Sequence, residues 1–187
     1  MACLGLVLLA PLFLIVAVLI KLDTRGPVFF RQERMGRAFR PFLIYKFRTM
    51  VQDAPRRGGS ITFGTDTRIT RVGRFLRQAK IDEFPQLINV LKGDMSLVGP
   101  RPEVRQYVEL FSRDYETILQ ALPGITDLAS LRYRYEAEIL GQSEKPEEEY
   151  INRILPEKIK LAKDYLGQAS FFFDMAVILR TLLAMFR

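Results

Sequence analysis

"MACLGLVLLAPLFLIVAVLI", Met1 to Ile20, is twenty residues without a charge, and the way it meets a membrane decides the fold. Its length matches the roughly 20 residues needed to cross a hydrocarbon core. A cleaved signal peptide is not expected, because no basic segment precedes the run and no small-residue cleavage site closes it. Pro11 stands mid-run, removing a backbone hydrogen bond and crowding the preceding turn, so a kink is expected at Ala10. Hydropathy leaves two readings: a kinked spanning helix, which it favours, or a helix that bends and returns to the same face. Lys21, Arg25, Arg31, Arg34, Arg37 and Arg40 follow, which puts that side in the cytoplasm.

Outward from this anchor, 187 residues suffice for one ordinary domain. The charge is unevenly spread. Lys21 to Arg101 carries 17 Lys/Arg against 7 Asp/Glu, whereas Pro102 to Arg187 carries 11 against 14. The basic half therefore faces something anionic: nucleic acid, phospholipid or a phosphorylated substrate. There is no histidine, and the single cysteine, Cys3, sits in the apolar run. That excludes an intrachain disulfide and His/Cys zinc sites, so any metal would be bound by oxygen, as Mg²⁺, Mn²⁺ or Ca²⁺ is.

Pro27–Phe30 and Phe39–Met50, with "RMGR" between them, predict a short β-hairpin near the membrane surface. Residues 52–66, with Pro55, Gly58, Gly59, Ser60 and Gly64, predict a loop. Val72, Phe75, Leu76 and Ala79 keep helical spacing from Arg71, and a second helix is predicted from about Asp82 to Lys92, with Phe84, Leu87, Ile88 and Leu91 at i, i+3, i+4 and i+7, stopped by Gly93. Gly93 to Glu103 reads as a rigid loop in which Pro100 and Pro102 bracket Arg101. Val104 to Leu122 predicts a helix, as does Glu144 to Leu166. The closing "SFFFDMAVILRTLLAMFR" fits an interfacial or packed terminal helix. The fold class is α+β, predominantly helical.

"IDEFPQL", Ile81 to Leu87, sets Asp82 and Glu83 side by side ahead of Pro85. Taken alone, the pair is most simply a helix start, with Asp82 as N-cap and Glu83 in the first turn. The same geometry suits chemistry: a helix start favours anions, and adjacent carboxylates can share an oxygen-preferring dication. Arg77, Arg101, Arg132 and Arg134 surround the pair in sequence; each alone is more simply a solvated charge, yet together they offer forked phosphate recognition. No nucleic-acid fingerprint and no P-loop is present.

"YKFRTM" (Tyr45 to Met50), "IDEFPQLINVLKGDMSLVGPRPE" (Ile81 to Glu103), "PGIT" (Pro123 to Thr126) and a terminal "DYL" with later Ser, Asp and Arg resemble the bacterial sugar transferase family. These are monotopic phosphoglycosyl transferases that start glycan assembly on a polyprenyl carrier. The resemblance covers nearly the whole chain. It implies that Asp82 attacks the β-phosphate of a UDP-sugar, expels UMP and forms a sugar-phosphoryl-aspartate that polyprenyl phosphate then captures, in a ping-pong cycle. It implies Mg²⁺ with Asp82 as a ligand, Glu83 assisting, Arg77 and Arg134 near the phosphates, and Lys46, Arg101 and Asp164 around the pocket.

The resemblance also reverses the reading of the anchor. Residues 1–22 become a re-entrant helix broken at Ala10 and Pro11, and 23–187 a catalytic domain on the cytoplasmic face of the inner membrane, with interfacial amphipathic helices. Members often carry Ser-Pro at the break and a short charged lead-in before it; this chain has Ala10-Pro11 and starts in the apolar run, so a longer or trimmed native start is expected. "DLASLRYRYEAEIL" departs from the Gly-Trp-rich sequence of many members, leaving sugar specificity open. The partners implied are a UDP-sugar, polyprenyl phosphate and phospholipid, with a homodimer allowed for and no nucleic acid. A catalytically idle scaffold and a membrane-anchored nucleic-acid binder are the alternatives.

Overall fold

The computed structural model describes residues 2–54, 62 and 66–185. Pro55, Gly58, Gly59, Ser60 and Gly64 of the loop expected over 52–66 lie outside them, as does Arg187. The apolar run forms helix α1, Ala2–Asp23, which stays helical on both sides of Pro11. Its 22 residues would extend about 33 Å if straight. Among the described residues it is the one helix long and apolar enough to cross a membrane. It nevertheless lies along the rest of the protein. Val16 and Ile20 are buried with Phe47 and Leu76, and Phe13 meets Phe47 edge-on at 5.0 Å. Nearer the other end, a Cβ built on Gly5 would stand 3.4 Å from Leu87 Cδ1. Leu4, Val7, Leu8, Leu14, Ile15 and Val18 face outward.

The end of α1 is tied down by polar groups. The Arg48 guanidinium donates to the carbonyl oxygens of Thr24 at 2.8 Å, Ile20 at 3.4 Å and Arg25. Asp23 Oδ2 accepts the Val72 N–H at 3.1 Å, and Thr70 Oγ1 accepts the Gly73 N–H at 2.9 Å. Two of the four orphan donors at the start of α2, Arg71–Gln78, are thus satisfied, one of them by the preceding helix.

The expected hairpin is present as β1, Phe29–Met35, and β2, Pro41–Phe47, antiparallel from Phe29↔Phe47 to Met35↔Pro41. Past the last paired residues the Arg48 N–H still donates to Val28 O at 2.8 Å, and Met50 then bridges Ile69. Helix α3, Gln86–Lys92, starts four residues after Asp82 and ends as expected at Gly93, whose φ of 78° suits a glycine C-cap.

Two short strands went unread in the sequence. β3, Ser96–Val98, lies in the segment expected as a loop and pairs in parallel with β4, Gly124–Thr126. A Cβ on Gly124 would fall 2.1 Å from the Gly99 nitrogen, so the two segments meet there backbone to backbone. The helix expected over 104–122 is two, α4 (Arg105–Leu110) and α5 (Ser112–Ile118), broken where Phe111 adopts φ −118° and ψ 39°.

Helices α6 (Leu128–Arg132) and α7 (Glu136–Gly141) follow. Then α8 (Pro146–Glu149) runs through a π-turn at Tyr150–Ile154 into α9, Leu155–Gln168. Helix α10, Phe171–Met185, closes the chain. The main core joins Tyr107, Tyr115, Leu140, Tyr150, Ile154 and Leu155. The α1 cluster of Val16, Ile20, Phe47 and Leu76 is a separate one.

Candidate active site

Asp82 and Glu83 sit on a 3-10 turn, Ile81–Glu83, entered through Lys80 in the left-handed region at φ 57°. The helix-cap reading is corrected here: Pro85 occupies the N-cap of α3, and no side chain caps that end. The left-handed Lys80 re-aims the chain and Pro85, at φ −60°, starts the helix three residues later than a cap at Asp82 would. Asp82 is therefore released from capping. It is 7% exposed, and its Oδ1 is buried with no hydrogen-bond partner.

Glu83 is fully engaged. Arg101 grips it with both fork nitrogens, Nη2 to Oε1 at 2.5 Å and Nη1 to Oε2 at 3.2 Å, and Lys46 Nζ reaches Oε1 at 2.7 Å. Arg101 is itself placed through its backbone N–H, which donates to Asp127 Oδ2 at 3.2 Å. The other oxygen of Asp127 caps α6 by accepting the Ser130 N–H at 2.6 Å. Lys46 projects from β2 one residue before its end.

Arg77 comes from the last turn of α2, where its Nε donates to Thr49 Oγ1 at 2.8 Å. Close approach makes that contact: a Cβ on Gly73 would stand 2.0 Å from the Thr49 carbonyl oxygen, so only glycine lets α2 rest on the strand exit. The two terminal nitrogens of Arg77 make no hydrogen bond among the described residues.

The two carboxylates are driven apart electrostatically. Burial, and then the charge of Glu83, push the Asp82 carboxyl up, against the pull of Lys46, Arg77 and Lys80. Burial also works to raise Glu83, but Arg101 and Lys46 outweigh it and hold Glu83 well below the usual carboxylate range. Glu83 in turn raises Arg101. Burial pulls Lys46 and Arg77 down despite their acidic neighbours. One carboxylate is thus a fixed counter-ion and the other a buried group with an open oxygen. That division suits two different roles.

Not every residue named from sequence joins this cluster. Arg134 is half-buried, its guanidinium 5.6 Å from the Tyr135 ring centroid, and Asp164 is exposed on α9. Among the described residues neither is linked to Asp82 or Glu83 by a hydrogen bond or ion pair. Ala10 and Pro11 are both exposed on the outward side of α1.

Other residues went unread. The apolar spacing of α3 pointed to Phe84, Leu87, Ile88 and Leu91 as its core face, but Leu91 is 52% exposed and the buried residues are Gln86 and Asn89. Asn89 ties α3 to β2: its Oδ1 accepts the Tyr45 N–H at 3.0 Å, and its Nδ2 donates to Leu43 O at 2.8 Å and Asp94 Oδ2 at 3.1 Å. The available signal was two amides at i, i+3 on an otherwise apolar helix.

Among the described residues, no group of three or more His, Cys, Asp or Glu side chains could hold a metal ion. The donor set still fits Mg²⁺ in its usual mode, in which one or two carboxylates share the ion with substrate phosphates and water. Glu83 has both oxygens on cations, so the unpartnered Asp82 Oδ1 is the carboxylate oxygen that would be open to such an ion.

The bacterial sugar transferase model matches residues 1–187, and the chain belongs to that family. It is 39% identical over 186 residues to the UDP-N-acetylgalactosamine-undecaprenyl-phosphate N-acetylgalactosaminephosphotransferase of Aeromonas hydrophila, covering 97% of this chain and 40% of that protein. It is 42% identical over 184 residues to the UDP-glucose:undecaprenyl-phosphate glucose-1-phosphate transferase of Caulobacter vibrioides, covering 93% and 62% respectively. With the exopolysaccharide production protein PSS of Rhizobium leguminosarum bv. phaseoli the identity is 38%, over 96% of this chain and 88% of the relative. The chain thus spans less than two thirds of the length of the first two relatives.

Proposed function

We propose that this protein moves a sugar 1-phosphate from a UDP-sugar to polyprenyl phosphate, releasing UMP, as the first membrane step of bacterial glycan assembly. The observation that carries the reading is the buried, unpartnered Oδ1 of Asp82 beside a Glu83 whose charge is already matched. The relatives' names, which specify undecaprenyl phosphate and UDP-sugars, support the same substrate classes.

In the first half-reaction an Asp82 oxygen bonds to the β-phosphorus. The bond from that phosphorus to the bridging oxygen breaks, and UMP leaves with the electron pair. The sugar phosphate is then an acyl phosphate on Asp82. In the second, an oxygen of polyprenyl phosphate bonds to the same phosphorus and the Asp82–phosphorus bond breaks, which restores the carboxylate. Arg77 offers its terminal nitrogens to the phosphates, and Arg101 and Lys46, locked on Glu83, border the site with fixed positive charge. When bound, Mg²⁺ supplies charge neutralisation at the diphosphate. Arg134 and Asp164 are assigned to the outer parts of the pocket.

The membrane mode belongs to the same proposal. Helix α1 is re-entrant and rests in the cytoplasmic leaflet, supported by its packing on the catalytic body from Gly5 to Ile20. Helix α10 lies at the interface, presenting Phe171, Phe172, Met175, Leu179, Leu182 and Leu183 to lipid.

The test is UMP release from a panel of UDP-sugars with polyprenyl phosphate and Mg²⁺, comparing wild type with Asp82→Asn. The wild type is expected to release UMP and to carry a sugar-phosphate mass adduct on the peptide containing Asp82, and the variant to do neither. Equal turnover by the two proteins would remove Asp82 as the nucleophile.

A further inference from the structure

Two amides are buried on α3, and they are treated very differently. Asn89, fully buried, spends its side chain on three hydrogen bonds to β2 and Asp94. Gln86 is equally enclosed at 1% exposed, yet its Nε2 has no partner. An unpaired buried donor is costly, and native proteins keep few of them. The site contains a matching anomaly. Asp82, four residues earlier on the 3-10 turn that leads into α3, buries Oδ1 with no partner either.

A donor and an acceptor are left open four residues apart, both out of bulk solvent, and groups of this kind are completed by a molecule from outside the chain. Of the cations near it, Lys46 and Arg101 are committed to Glu83, while Arg77 gives its Nε to Thr49 and keeps its terminal nitrogens for the phosphates. A phosphoryl group brought to Asp82 has non-bridging oxygens that need further donors, and Gln86 Nε2 is an unpaired neutral one four residues along the chain from Asp82.

We infer that Gln86 is a substrate-contacting residue whose carboxamide donates to a non-bridging oxygen of the phosphoryl group transferred to Asp82. The inference rests on the transferase reading above and adds a named donor to it. A neutral donor suits the position. It stabilises the oxygen as negative charge builds there, without forming an ion pair that would hold Asp82 away from phosphorus.

The distinguishing experiment measures stability and chemistry on one variant. Gln86→Met keeps the length of the side chain and removes the donor; Gln86→Leu removes it with a shorter, branched side chain. Wild type and variants, purified in detergent, are compared for thermal unfolding without substrate. They are also compared for single-turnover UMP release with UDP-glucose or UDP-N-acetylgalactosamine, whichever the wild type uses. Removing an unpaired buried donor leaves Tm unchanged or raises it, while the single-turnover rate falls about 100-fold with little change in the UDP-sugar concentration at half-maximal rate.

A purely structural glutamine predicts the opposite pattern. If both variants unfold several degrees lower or fail to fold, or if either keeps the wild-type rate, the inference is overturned. If the wild type releases no UMP from any UDP-sugar, the transferase reading falls and takes this inference with it. A wild type that is active beside an equally active Gln86→Met removes this inference alone.

Discussion

At the scale of single residues, the site is a division of labour between neighbouring carboxylates. Asp82 stays chargeable but uncomfortable, because burial and Glu83 raise its carboxyl. A group raised in the folded state contributes its stability below the unfolded value, near 4, and loses it as pH rises through the folded value. Asp82→Asn removes that cost. In EDTA, its Tm is therefore expected to exceed that of wild type at pH 7, with the gap closing toward pH 4, as calorimetry across that range would register. On the proposed mechanism, in which Asp82 attacks as the carboxylate, the acid limb of single-turnover UMP release should for the same reason lie above the ordinary aspartate value. Glu83 behaves oppositely. Its value is held low by Arg101 and Lys46, so Glu83→Gln strands two half-buried cations and should cost about 2 kcal/mol, read as the loss of denaturation midpoint in urea. The adjacency of these two residues was legible in the sequence. Their unequal fates were not, because the partners that fix Glu83 lie 37 and 18 residues away and only the fold brings them in.

At the scale of elements, what could be read was what local chemistry dictates. The hairpin, the helix from Arg71 and the Gly93 stop follow from spacing and φ preference within a few residues. The pairing of β3 with β4 was illegible because three-residue strands carry no periodicity and the partners are 28 positions apart, Ser96 on Gly124. The buried face of α3 differs from that spacing because Leu87 meets α1 and Leu91 the outer surface, while Asn89 is drawn in by its hydrogen bonds to β2 and Asp94. Gly73 shows how one element depends on another. Any side chain there would strike the Thr49 carbonyl, pushing α2 off the strand exit and taking Arg77 with it. Gly73→Ala is expected to destabilise by about 3 kcal/mol and to weaken UDP-sugar binding in the surviving protein, the first by urea titration and the second by the half-saturating donor concentration.

At the scale of the whole molecule, the decisive question is how an apolar helix of 22 residues can pack on the same body as a charged, polar site. A spanning helix would carry Gly5 to the far leaflet, about 22 Å from Ile20 along the axis. Gly5 instead stands against Leu87, on the helix that follows Asp82, while Ile20 shares a cluster with Leu76 and Phe47. Both contacts cannot persist if α1 crosses the bilayer and the polar site stays in the cytoplasm, because Leu87 would have to follow Gly5 into lipid. The arginine clamp at the other end argues the same way: Arg48, two residues past Lys46, holds the last carbonyls of α1 beside the site. Helix and site are therefore one body, and on the proposed function that body would set the depth at which a lipid phosphate reaches Asp82. Cys3, the single cysteine and exposed near the start of α1, provides the measurement. A membrane-impermeant maleimide is expected to label it in inside-out vesicles and not in intact spheroplasts. Labelling confined to spheroplasts would place Cys3 across the membrane and require α1 to leave the catalytic body.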